Sequence, residues 1–190
     1  MDLLSKYIPD YSFKETHFRD VSAHPTIVID AAAAFRPEAD AFFRKMIAVR
    51  EFPMRLKALF GGRQTINPAP FGLHNFILLE KQNGSGLVYG LIGRFWQSDY
   101  GLVKVPDAQA FLTFNDPGTA KLVVGFLAIP QGDGRTRLVT ETRVYCPDRA
   151  TWLRFAPYWY LIRPVSGLIR GRILASIKTM SERSSKAHIL

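Results

Sequence analysis

A single cysteine, Cys146, stands in a chain of 190 residues. One thiol can close no internal disulfide and build no thiolate-rich zinc site. Pro147 follows it at an expected strand end and no base is visible beside it, so it reads as a structural thiol rather than a nucleophile. Long apolar runs are equally scarce. The longest, Leu122 to Ile129, falls far short of the ~20 residues a membrane-spanning helix needs. Met1-Asp2-Leu3-Leu4-Ser5-Lys6 carries an early acid and no sustained apolar stretch, so no secretory leader is expected and the cytoplasm is the expected compartment. No repeat, low-complexity tract or linker divides the sequence. One domain over residues 1–190 is expected, with its core at about 13–180 and a flexible tail at 181–190.

Acids are few at the C-terminal end. From Arg149 onward there are eight lysines or arginines against one acid, Glu182, within a formal net charge of +9. Such a tail can attract phosphate on a lipid headgroup, a nucleic acid or a soluble ligand, or can simply keep a helix solvated. What is plentiful is ordinary globular material. Apolar residues make up 47%, charged residues 22% and aromatic residues 13%, enough for a proper core and against disorder.

The pattern of elements is readable along the chain. Phe13 to Val21 alternates loosely, as a mostly polar first strand. Thr26 to Phe35 is alanine-rich, and Glu38 to Val49 and the segment from Pro53 to Phe60 carry apolar residues at helical spacing, ended by Gly61-Gly62. Strands are expected over Phe71–Lys81, Leu87–Trp96, Ala108–Phe114, Ala120–Ile129 and Arg135–Tyr145. The reversals between them are Asn83-Gly84-Ser85-Gly86, Asn115-Asp116-Pro117-Gly118 and Gln131-Gly132-Asp133-Gly134. Asp148 is a natural N-cap for a final helix, whose stripe runs through Phe155, Trp159, Ile162, Ser166, Ile169, Ile173 and Ile177. Pro157 and Pro164 should bend it or break it in two. The expected fold is α+β: a curved six-stranded antiparallel sheet wrapped around a long C-terminal helix, with short helices between strands 1 and 2. Gly90, Gly93 and Gly125 are the expected bending points.

This order of elements resembles the START-like, helix-grip superfamily (the SRPBCC group of polyketide cyclases and lipid-transfer domains). Gly93-Arg94-Phe95-Trp96, Thr140-Glu141-Thr142-Arg143-Val144 and the stretch from Tyr158 to Arg170 are similar to an uncharacterised bacterial branch of it. The resemblance implies binding or transport of an apolar or amphipathic small molecule, lipid, polyketide-like or aromatic, between sheet and helix. It carries over no catalytic residue.

The expected ligand-binding residues are Trp96, Phe114, Phe126, Thr140, Thr142, Tyr158 and Trp159. Aromatics on strands and on the facing helix can grip a greasy ligand, and a hydroxyl can orient it. Each can equally be plain core. Leu138, Thr140, Thr142 and Val144 form the more apolar face of their strand, so Glu141 and Arg143, with Arg94, are expected outward as a solvent-side charge ladder. Turned inward, Glu141 would be a candidate acid or base. His17, His24, His74 and His188 have no ligand spacing, and no metal or cofactor is expected. Gly61-Gly62-Arg63 and Gly132-Asp133-Gly134-Arg135 lack the strand–loop–helix setting of a phosphate cradle. The basic helix, with Arg163, Arg170, Arg172, Lys178, Arg183 and Lys186, could contact an anionic membrane. Nucleic acid is disfavoured, because no binding motif accompanies the charge. No catalytic constellation is recognisable. A cyclase, isomerase or hydrolase using the same cavity is the alternative, and a protein whose interior is filled by its own side chains is the third.

Overall fold

The computed structural model describes residues 3–36, 72–97 and 99–187. The helical segments expected at Glu38–Val49 and Pro53–Phe60, with Gly61-Gly62, lie outside the described residues.

Five strands make one antiparallel sheet: β1 (Phe13–Val21), β2 (Ile77–Gln82), β3 (Gly86–Gly93), β4 (Ala120–Gly132) and β5 (Arg135–Tyr145), in the order β1-β5-β4-β3-β2. The β4–β5 hairpin forms where the composition places it. Gly132, Asp133 and Gly134 take φ of 83°, 50° and 68°, a left-handed run that two glycines and an aspartate tolerate.

The sixth strand is not found among the described residues. Ala108–Thr113 is a helix, α2. Its reason is local: Asp107 Oδ1 accepts the Ala110 amide at 2.8 Å, and that cap starts a helix in a stretch too short for periodicity to decide. α2 drives the fully buried Phe111 against the sheet. Between β1 and β2, the described helices are α1 (Pro25–Ala34) and one 3-10 turn at Leu73–Asn75, where a strand was expected.

The last element, α3, runs unbroken over Arg149–Ala187. Asp148 caps it as expected, accepting the Thr151 amide at 2.7 Å and the Thr151 hydroxyl at 2.6 Å. Neither proline breaks it. Both rings lie on the exposed side, where a helix can curve toward its core at the cost of one solvent-facing carbonyl per proline. The tail expected at 181–190 is helical through Ala187: Ser181 is buried, and Glu182 accepts the Ser22 amide at 2.9 Å. No described helix is long and apolar enough to cross a membrane.

The sheet is covered on both faces. Register puts Phe13, Glu15 and His17 of β1 on one face with Val144, Thr142 and Thr140 of β5, and this inner face carries α1 and α3. On the outer face, residues 3–10 fold back across the strands, burying Leu4 and Ile8 beside α2. Gly90 and Gly125 serve this outer packing. A Cβ at Gly125 would stand 2.5 Å from Leu4, and one at Gly90 2.7 Å from Leu79, so both strands must be bare where those side chains press in.

Glu141 and Arg143 therefore face away from α3, as expected, but not into solvent. The N-terminal segment buries them (7% and 5% exposed). Arg143 Nε meets Glu141 Oε1 at 2.6 Å and Lys14 reaches Glu141 Oε2 at 3.1 Å, while Arg143 also donates to the Ile8 carbonyl. The expected open ladder is a buried, paired clamp that pins the N-terminal segment. Arg94 stands apart from it, exposed beyond the end of β3.

Candidate functional site

Two apolar clusters lie on the inner face. One gathers Phe13, Val144, Phe155, Tyr158, Trp159 and Ile162; the other gathers Val28, Ile29, Phe126, Leu138, Leu174 and Ile177. Between them run two cross-strand rows set by register. Glu15 faces Thr142, which faces Val124, then Tyr89, then Leu78; His17 faces Thr140, which faces Phe126, then Leu87. The inner face is thus polar at its β1–β5 end.

That polar end is closed and under-bonded. Thr140 and Thr142 are each 1% exposed, and among the described residues neither hydroxyl has a hydrogen-bond partner. The Glu15 carboxylate is 7% exposed. Its Oε1 is 2.8 Å from His17 Nε2, while Oε2 makes no hydrogen bond among the described residues and stands 4.0 Å from Arg170 Nε. An unmade bond on a buried polar group costs ~1–3 kcal/mol, so a row of them is unusual in a finished core.

Gly167 is the residue of α3 above this patch: a Cβ there would lie 3.6 Å from His17 Cε1 and 3.7 Å from Glu15 Oε1. Alanine would touch both, and anything longer would press on them. Away from β1 the row becomes apolar and more open. Val124 and Tyr89 are half-buried and Leu78 is 49% exposed. Burial pushes the Tyr89 phenol above its ordinary pKa, so it stays a neutral donor. A polar end and an apolar end thus lie on one continuous cross-strand row.

The expected residues divide. Thr140, Thr142 and Phe126 meet on the inner face as direct neighbours. Tyr158 and Trp159 are on α3 over the same face, locked into rings: Phe155 is 5.7 Å from Tyr158 and 5.9 Å from Trp159, and Phe13 is 5.6 Å from Trp159. Trp96 packs edge-on to Phe155 at 6.3 Å. Phe114 packs with the outer-face cluster, on the opposite side of the sheet, and shares no surface with the others. Glu15, His17, Tyr89, Gly167 and Arg170 were missed. Parity was the available signal: Glu15 and His17 stand two and four residues beyond Phe13, an inward position in a strand.

A separate open cleft of about 370 Å3 lies at the start of α3, lined by Arg94, Trp96, Gly118, Asp148 and Arg154 among others. Asp148, the capping carboxylate of α3, is part of that lining. The Thr151 hydroxyl and backbone amides hold the Asp148 pKa down to about 2, so the carboxylate stands ionised between Arg94 and Arg154 in the lining. Among the described residues no group of three or more His, Cys, Asp or Glu could hold a metal ion.

No protein-family profile matches the chain, and no curated protein matches it. Among solved structures it is similar to TTHA0849 from Thermus thermophilus, at 9% identity and a TM-score of 0.36, over 91% of this chain and 99% of that one. It is similar also to the hypothetical protein jhp0584 from Helicobacter pylori, at 10% identity and a TM-score of 0.36, over 95% of this chain and 93% of that one. Likenesses this slight carry neither a family nor a function.

Proposed function

We propose that the protein binds or carries an amphipathic small molecule (a lipid, polyketide-like or aromatic compound) on the inner face between the sheet and α3, as a helix-grip container does. The observation that carries this reading is the pair of buried Thr140 and Thr142 hydroxyls with no partner among the described residues, beside the Glu15 carboxylate. A ligand hydroxyl, carbonyl or ammonium group satisfies these atoms, and its apolar body lies along Val124, Tyr89 and Leu78. Phe126 flanks the row; Trp96, Tyr158 and Trp159 wall it from the aromatic cluster's side. The test is titration with 1-anilinonaphthalene-8-sulfonate, followed by displacement with long-chain alcohols and fatty acids. Saturable, displaceable dye binding that Thr140→Val/Thr142→Val weakens ~10-fold supports the site, since two hydrogen bonds are lost. Dye binding indifferent to that pair of substitutions refutes it.

The 2.8 Å contact between Glu15 and His17 favours one second reading, an enzyme of cyclase, isomerase or hydrolase type. A buried carboxylate that orients an imidazole can move a proton on whatever is bound above it. Its test is a change in the structure of the bound compound, read by chromatography and NMR, with wild-type protein and none with His17→Gln. Identical compounds recovered from both leave a carrier.

A further inference from the structure

α3 has a second apolar stripe, and it faces outward. Leu153, Pro157, Leu161, Pro164 and Leu168 recur at steps of four, four, three and four, all exposed, with Tyr160 beside them. Leu153, Tyr160, Leu161 and Leu168 are 54%, 62%, 57% and 61% exposed. This is the side opposite Phe155, Tyr158, Trp159, Ile162 and Ile169, which are packed on the sheet. The buried stripe holds the helix to the fold, so the outer one is surplus to stability. Contiguous exposed apolar surface of this kind marks an interaction face.

Charge selects the partner. Helical spacing at ~100° per residue puts Arg154 and Arg172 along one flank of the stripe and Arg149 and Arg163 along the other, all four exposed. No acid occurs in α3 before Glu182. A second copy laid against this face would set arginine against arginine with no carboxylate between them. A nucleic acid would use the arginines and leave the leucines in water. An anionic lipid surface uses both, leucines and Tyr160 entering the headgroup boundary and guanidiniums meeting phosphates.

We infer that the outer face of α3 docks peripherally on anionic membrane, its axis parallel to the surface from Leu153 to Leu168. The prolines suit that depth. Pro157 and Pro164 leave the carbonyls of Leu153 and Tyr160 without helical donors, and those carbonyls stay hydrated among headgroups but not deeper. This docking does not rest on the small-molecule site: Glu15, Thr140 and Thr142 lie on the sheet, and only Gly167 of that site borders the stripe, on its Arg149 flank.

The experiment is vesicle co-sedimentation of the full chain, with phosphatidylcholine alone and with about a third phosphatidylserine. Wild type should bind the anionic vesicles only, and lose binding as salt rises. Leu161→Gln/Leu168→Gln should weaken binding ~10-fold or more through lost apolar insertion, and Arg154→Gln/Arg163→Gln/Arg172→Gln ~100-fold through lost headgroup attraction. Circular dichroism of these surface variants should match wild type. Three results overturn the inference: no preference for anionic vesicles, binding untouched by the leucine substitutions, or a concentration-dependent dimer in light scattering that those substitutions dissolve. Salt-sensitive binding to duplex DNA, retained by the leucine variant while vesicles are ignored, overturns it too.

Discussion

Replacing Thr142 with valine keeps the shape of the side chain and removes one hydroxyl. Thr142 is 1% exposed and its Oγ1 has no partner among the described residues. In the ligand-free protein that oxygen has given up water and received nothing, a cost of ~1–3 kcal/mol. Valine keeps the β-branched shape a strand favours, so Thr142→Val should raise the unfolding free energy of delipidated protein by ~1 kcal/mol or more. With ligand present the sign reverses. Saturation at a hundred times Kd adds ~2.7 kcal/mol to wild type, and the variant should forgo much of it. The assay is urea unfolding followed by far-UV circular dichroism, with and without the displacing alcohol, comparing midpoints at constant m. A loss of more than ~1 kcal/mol in the ligand-free variant refutes the reasoning, because it means that the hydroxyl makes a structural hydrogen bond.

Other outcomes follow from the same geometry. Gly171→Ala, with nothing within 4 Å of the added methyl, should stabilise α3 by ~0.5–1 kcal/mol in thermal unfolding, whereas Gly167→Leu should press on Glu15 and His17 and abolish dye binding. Gly125→Ala should destabilise by ~1–3 kcal/mol, since its methyl would meet Leu4 at 2.5 Å. Trp159→Ala should cost ~3–5 kcal/mol, because its rings are packed on Phe13 and Phe155. Burial pushes the Cys146 thiol up to about 11, so mass spectrometry should show slow alkylation by iodoacetamide at neutral pH and rapid alkylation only on unfolding. The Asp148 pKa falls from 3.8 to about 2 in the fold. Its stabilising effect is therefore complete above 3.8 and lost as pH falls toward about 2, and acid unfolding of Asp148→Asn should lack that component.

Much of the fold could be read from local chemistry. Alternation and the Gly132-Asp133-Gly134 turn mark the β4–β5 hairpin, and Asp148 with the Phe155–Ile177 stripe marks α3. Those signals lie within one element. Ala108–Thr113 misleads because six residues hold less than two helical turns, and only the cap at Asp107 distinguishes helix from strand. Residues 3–10 carry no periodicity, so nothing local announces that Leu4 and Ile8 are core. The burial of Glu141 and Arg143 depends on that segment and was hidden with it. The site was half legible. Thr140 and Thr142 follow from the apolar parity of β5, but their partners on β1 follow only from knowing that β1 pairs with β5, a contact between strands far apart along the chain.

Native mass spectrometry of the protein as purified bears most directly on whether the polar end of the inner face holds a ligand. Wild type should carry an added mass that organic extraction removes and releases as an amphipathic compound, and Thr140→Val/Thr142→Val should arrive without it. A bare chain mass for wild type, together with no uptake of fatty acids or long-chain alcohols offered in excess, would contradict it.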